Sequence, residues 1–452
     1  MTQTPGQFAA SARQGEVAKW LARDQRSVWH PFTQHSLWID DDPLVVDHAE
    51  GMYLYDADGN SYLDGFSSLW VTVHGHRVPE IDAAITQQLS RLDHSTFLGS
   101  THQPGIELAE KLLATAPPGL GKVFYAGDGS SAVEAAIKMA FQAWAQRGQV
   151  RPLYLHVAEG YHGDTLGAVS VGGIDLFHQT YRPLMLNTRM VGSPGVLEPG
   201  QTRQERAADV LEQMRKILQE DATQVCAIVI EPMVQGAGGI LTHDASFVRG
   251  VRDLADEFDT LLVADEVATG LGRTGTMWAV EHAGVTPDLL TCGKGLTGGY
   301  LPLSAVLATD AVYEAFLGSA ASARTFFHGH SYTANPLCCA AAIANLDLMA
   351  SRGTVAHAAA VGEELGRLLQ PLTEHAGVVE VRRCGTMTGI ELAPVPGLDR
   401  TGFEVCRAAR RRGVLIRPLG DVVVLMPPLA IDADQVRQLT DAVTESIYEV
   451  CQ

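Results

Sequence analysis

The stretch LLVADEVATGLGRTGTMWAVEHAGVTPDLLTCGKGLTGG, residues 261–299, decides how the chain is read. Two short apolar runs, ending at Ala264 and Cys292, each stop at polar residues: Asp265-Glu266 after the first, Gly293-Lys294-Gly295 after the second. Short runs of this kind are the pattern of strands buried on both faces of a parallel sheet. Such sheets bind ligands at the carboxyl ends of their strands, where these polar residues fall.

Working outward, KVFYAG (122–127), PLYLHV (152–157) and CAIVIEP (226–232) are runs of the same type. Helical patterns lie between them, among them SAVEAAIKMAFQAWAQRG (131–148) and ASFVRGVRDLADEFD (245–259). The alternation from about Val78 to Ala321 predicts an α/β chain whose mostly parallel sheet is covered by helices. On the N-terminal side, residues 43–64 alternate apolar and polar positions around Glu50-Gly51 and Asp58-Gly59-Asn60, which predicts an antiparallel meander. Residues 1–28 read as a mobile or helical arm, and 187–203 as a Pro/Gly-interrupted loop. From about Gly353 the units shorten (VVEVRRCG, GTMTGIEL, GVLIRP, DVVVLMPP) into a small α+β lobe. The expected division is 1–75, 76–335 and 336–452, with the first and last segments sharing the small domain.

Composition narrows the function. The chain has 452 residues, 46% hydrophobic, enough for a large core. A formal net charge of −19 argues against nucleic-acid binding, which needs clustered Lys and Arg. The seven cysteines form no CxxC pair, so no metal site is expected, and the odd count fits free thiols in a reducing cytoplasm. The first twenty residues lack the order of a secretory leader, and no run reaches the ~18 apolar residues of a membrane span. A cytoplasmic chain acting on small molecules, with no membrane or nucleic-acid partner, is expected.

Four constellations carry chemistry. Lys294 between glycines can be approached closely by a ligand, and a desolvated lysine is a nucleophile; its plainer reading is an exposed turn. Asp265 at a strand end needs a cationic partner such as a protonated ring nitrogen; it could equally cap a segment or pair with an arginine. Gly127-Asp128-Gly129-Ser130-Ser131 before a helix reads as an anion cradle or as an ordinary capped helix. Gly160-Tyr161-His162-Gly163-Asp164 offers a stacking aromatic, or is a polar turn. In chain order they make a phosphate loop, an aromatic, an acid and a lysine. One small cofactor, pyridoxal 5'-phosphate, accounts for all four.

The run 261–306 resembles the signature of the class III aminotransferases of pyridoxal-phosphate fold type I, and the resemblance extends from about Trp29 to the C-terminus. It implies a large domain with a mostly parallel sheet of the seven-stranded type, plus a small α+β domain. Trp29-His30-Pro31-Phe32-Thr33-Gln34, DGFSSLWVTVHGH (64–76), GYHGDTLGAVSVG (160–172) and FFHGHSYTANPL (326–337) are similar to the branch that aminates 8-amino-7-oxononanoate in biotin synthesis. The alternative is a class III ω-aminotransferase acting on another ω-amino acid.

The resemblance implies catalytic roles for Lys294, Asp265 and Tyr161. Lys294 attaches the cofactor and shuttles the proton, Asp265 pairs with the pyridine nitrogen, and Tyr161 stacks on the ring. Gly129 and Ser130 hold the phosphate, with Ser331 reaching it from the second subunit of a homodimer. Phe32, Trp70, Gly329 and Arg417 bind substrate, Arg417 through a carboxylate. Glu231, Gln235 and Arg273 fall near the cofactor, Arg273 with a scaffold role equally open. S-adenosylmethionine is the implied amino donor. Phe32 and Leu69 depart from the tyrosine and tryptophan of many relatives that use it, and are closer to relatives that use lysine.

Overall fold

The computed structural model describes residues 5–452. Its centre is a seven-stranded sheet in the order Leu120–Ala126, Ser304–Thr309, Leu289–Cys292, Leu261–Asp265, Val225–Ile230, Leu153–Val157, Thr188–Val191. Only Ser304–Thr309 runs antiparallel to its neighbours. The inner strands are mostly apolar because both faces are covered. Leu155, Ile228, Ile230, Leu262, Leu290 and Leu307 point into one core. Tyr154, Val229, Val263, Leu289 and Val306 point into the other. The two sets alternate along each strand, as the two-residue period of a strand requires.

The second core is closed by the helix Gly129–Gln146, whose alanines 132, 135, 136, 140 and 143 let it lie close to the sheet. Asp128 caps it, its side chain accepting a hydrogen bond from Ser131 N at 2.9 Å. The first core is closed by Arg203–Asp221, Ala245–Glu257 and Pro336–Ser351. The division expected at 335/336 thus falls at the head of a helix that packs with the large sheet.

The loop reading of residues 187–203 needs correction. Thr188–Val191 forms the edge strand, parallel to Leu153–Val157. It was hidden because Arg189 and Met190 are exposed, so an edge position leaves no apolar run.

The meander appears as Val46–Glu50, Tyr53–Asp56 and Ser61–Asp64, extended in parallel by Val414–Leu415. A second sheet, Val378–Cys384, Met387–Leu392, Val422–Leu425 and Arg417–Leu419, is antiparallel. Met52 and Leu63 share one core with Val405, Val423, Leu439 and Val443, so the N- and C-terminal segments build one lobe. The arm is helical from Pro5 to Ser27. No helix among the described residues is long and apolar enough to cross a membrane.

One segment breaks the regular pattern. Ser67, Ser68, Leu69 and Trp70 are four consecutive non-glycine residues with positive φ, at 53°, 49°, 80° and 70°. Each such residue costs about 1–2 kcal/mol, so the surrounding structure has to hold the turn in place.

Arg273 and Gly385 join the large sheet to the lobe. The buried Arg273 guanidinium donates to Pro427 O at 2.6 Å and Thr72 O at 2.8 Å, and burial lowers its pKa to about 10. Thr386 N donates to Arg273 O at 2.9 Å. Gly385 has φ 57°, and a Cβ there would lie 2.3 Å from the Thr274 carbonyl carbon. Gly385→Ala is therefore expected to lose about 2 kcal/mol or more of stability, read as a lower midpoint in urea unfolding.

Candidate active site

The carboxyl ends of four strands and the start of one long helix converge on a cavity of about 510 Å³. Its lining includes Trp70, Gly129, Ser130, Tyr161, Glu231, Asp265 and Lys294. Six of the ten residues expected at the site thus meet in one chamber: Lys294, Asp265, Tyr161, Gly129, Ser130 and Trp70.

Asp265 is 4% exposed. Its Oδ1 accepts hydrogen bonds from Val267 N at 3.0 Å and Thr291 Oγ1 at 2.9 Å. Its Oδ2 lies 2.7 Å from Nδ1 of His162, the residue after Tyr161 in the Gly160–Asp164 motif. Burial opposes a charge on His162, but the hydrogen bond and charge of Asp265 outweigh it and raise the imidazole above its usual pKa. Glu231 accepts from Tyr161 N at 3.0 Å and Gly236 N at 2.9 Å. Burial raises its pKa to about 7, against the pull of His162. Glu266, next to Asp265, faces away from the cavity and accepts from Ala279 N and Val280 N at 2.7 and 2.9 Å. It organises the loop between the two strands of the diagnostic stretch.

Lys294 follows its strand with φ 45°, and its Nζ lies 5.0 Å from the centroid of the Trp70 ring. Desolvation depresses the lysine pKa, while Asp265 and Glu231 partly restore it. A lysine in this state is neutral, and so nucleophilic, at lower pH than an exposed one.

The floor of the cavity is the N-terminus of Gly129–Gln146, where free backbone N–H groups and the helix dipole favour an anion. A Cβ at Gly129 would lie 2.6 Å from Val267 Cγ1, so only glycine fits. Ser130 Oγ accepts from Thr165 N at 3.0 Å, so the Ser130 hydroxyl is already engaged within the chain. A phosphate over the helix, a carboxylate able to meet a ring nitrogen, an aromatic wall and a desolvated lysine suit pyridoxal phosphate in size and charge. The unpartnered, buried Nε2 of His162 adds polar capacity at the same end.

The other four expected residues lie outside this lining. Gly329 and Ser331 sit in an exposed segment beside Phe327, which is 82% exposed. Arg417 is exposed on the strand Arg417–Leu419, whose neighbour carries Val424 into the apolar cluster around Trp70. Phe32, at φ 49° and 60% exposed, packs edge-on against Phe177 with centroids 5.5 Å apart. Phe177 packs in turn against Tyr161 at 6.1 Å. No motif marks Phe177, which lies in the short helix Asp175–His178 after Gly172-Gly173. Gln235 does not line the cavity; its Nε2 donates to Ala158 O at 2.6 Å and its Oε1 accepts from Ser193 Oγ, which braces the wall. Arg273 is a scaffold residue, satisfied by backbone carbonyls.

The family model for aminotransferase class III matches residues 38–447. A protein of Nitratidesulfovibrio vulgaris named adenosylmethionine-8-amino-7-oxononanoate aminotransferase is 46% identical over 446 residues, 96% of this chain and 82% of that protein. The crystal structure of the enzyme of that name from Methanocaldococcus jannaschii superposes with a TM-score of 0.91 at 37% identity, covering 97% of this chain and 100% of that one. An amine transaminase from an uncultivated Pseudomonas species, in its PLP-bound form, gives 0.88 at 35% identity, covering 94% and 99%.

Pyridoxal phosphate added to the apo-protein and fixed by borohydride reduction is expected to label the peptide containing Lys294. The labelling rate should reach half its maximum at a pH below that of an ordinary lysine, because burial depresses this amine. Peptide mapping across a pH series reads both outcomes; equal labelling of surface lysines would count against the assignment.

Proposed function

This chain belongs to the class III aminotransferase family, and from that premise we propose that it aminates 8-amino-7-oxononanoate to 7,8-diaminononanoate, a step of biotin synthesis, with S-adenosylmethionine as donor. The observation that carries the reading is the meeting of Lys294, Asp265, Trp70 and Tyr161 over a helix N-terminus in one cavity, in a chain whose relatives bear that activity in their names.

Pyridoxal phosphate, when bound, supplies the conjugated ring that delocalises the electron pair left when a Cα–H bond breaks. Lys294 would hold the cofactor, and its amine is placed to carry a proton at the substrate carbon. His162 fixes the orientation of the Asp265 carboxylate, which would meet the ring nitrogen and favour its protonated form. Tyr161, in the cavity wall, would lie against the ring. Gly129 and Ser130 would hold the phosphate through backbone N–H groups. Trp70 and Phe32 exclude water along the apolar path of the substrate chain, with Gly329 also bordering the substrate. Arg417 receives the substrate carboxylate, for which a planar guanidinium suits a bidentate contact.

The active unit is a homodimer in the cytoplasm. Ser331 of the partner subunit completes the phosphate site, which fits its place in an exposed segment of a single chain. Phe32 lacks a hydroxyl, and Leu69 offers no indole face to a sulfonium cation, so lysine is the donor to test beside S-adenosylmethionine.

The decisive experiment mixes the cofactor-loaded protein separately with S-adenosylmethionine and with lysine, and follows the visible absorption band. Loss of the band with S-adenosylmethionine alone is expected, followed by its return on adding 8-amino-7-oxononanoate. A response to lysine alone reassigns the donor, and no return with this acceptor overturns the substrate. Asp265→Asn, which removes the charge facing the ring nitrogen, is expected to slow the band's loss at least about a hundredfold.

A further inference from the structure

The mechanism uses Trp70 as a wall but leaves its backbone unexplained. Trp70 closes a left-handed turn of four residues, Ser67–Trp70, none of which is glycine. The turn's own hydrogen bonds are Trp70 N to Phe66 O at 2.8 Å and Val71 N to Ser67 O at 2.9 Å. Hydrogen bonds of this kind form equally well in the right-handed sense, so they do not select the strained form.

What selects it lies behind the turn. Asp64, fully buried at the end of Ser61–Asp64, accepts from Ser68 N with Oδ1 at 2.9 Å and from Ser68 Oγ with Oδ2 at 2.8 Å. His76 Nε2 lies 3.0 Å from the same Oδ2. A buried carboxylate loses much if its donors move away, so Asp64 holds Ser68 at φ 49°, ψ 43°. Ser67 Oγ, donating to Met426 O at 2.6 Å, anchors the turn's other side to the lobe. The ring so placed stands over Lys294 Nζ, and its far edge meets Gly236, where a Cβ would lie 3.1 Å from Trp70 Cζ3.

We propose that Asp64 is a positioning residue: through Ser68 it imposes the left-handed turn that sets Trp70 against Lys294, and so governs how substrate is seated. The proposal rests on the aminotransferase reading only in what the seated molecule is. A purely structural Asp64 would support the lobe without acting through the handedness of residue 68.

Glycine separates the two. It adopts the left-handed region freely, so Ser68→Gly relieves the strain that Asp64 otherwise opposes. In the apo-protein, Asp64→Ala is expected to raise deuterium uptake of the peptide spanning residues 64–75 about fivefold or more, through local opening. The cofactor-loaded variant should show a KM for the amino donor about tenfold higher or more, with the affinity for pyridoxal phosphate unchanged within about twofold. Adding Ser68→Gly should recover at least half of both effects, although it deletes a further side chain. Where Asp64→Ala does not fold, Asp64→Asn keeps one acceptor and should show the same pattern at smaller size. The proposal is overturned if deuterium uptake is unchanged, or if the double variant is no better than the single one. The exchange measurement needs neither cofactor nor substrate, so a wrong substrate assignment leaves it standing.

Discussion

The fold turns on aiming the buried Asp265 carboxylate into the chamber at the carboxyl edge of the sheet. A buried carboxylate is costly unless its oxygens are paired. Here both oxygens are occupied, by Val267 N and Thr291 Oγ1 on one side and His162 on the other. Each partner comes from a different place: the loop after the strand, the neighbouring strand, and the segment after Leu153–Val157. The parallel sheet is what brings those three together. Only a row of strands ending at the same edge offers their terminal residues to one point.

That edge needs a lid, and the lid is drawn from both ends of the chain. Trp70 arrives from the N-terminal side. Met426, Val424 and Leu419 pack around it from the C-terminal side. Arg273 ties the two by donating to Thr72 and Pro427 carbonyls rather than to any acid. A charge satisfied only by backbone oxygens fixes three segments at once, which explains why an arginine inside the diagnostic stretch serves architecture and not substrate.

The sequence made the sheet legible because its central strands are buried on both faces and read as apolar runs. Lys294 and Asp265 were legible for the same reason: a charged residue stands out when it ends such a run. Thr188–Val191 escaped because half of it faces solvent. His162 was quoted inside its motif yet its contact with Asp265, 103 positions away, has no local signature. The left-handed turn was invisible because residues 67–70 contain neither glycine nor asparagine, the usual markers of positive φ. Ser331, Gly329 and Arg417 came from resemblance alone, and a single chain leaves them in the open. Phe177 had no periodicity to betray it, though it bridges Phe32 to Tyr161.

Trp70 also makes the protein its own optical gauge. An indole whose ring centre is 5.0 Å from the Lys294 amine lies far inside the range for energy transfer to a near-ultraviolet chromophore attached at that amine. Its emission would dim with such a chromophore in place, to an extent that follows the chromophore's overlap with indole emission. The same closeness that shields Lys294 from water lets tryptophan light report, without any added dye, which chemical state the site is in.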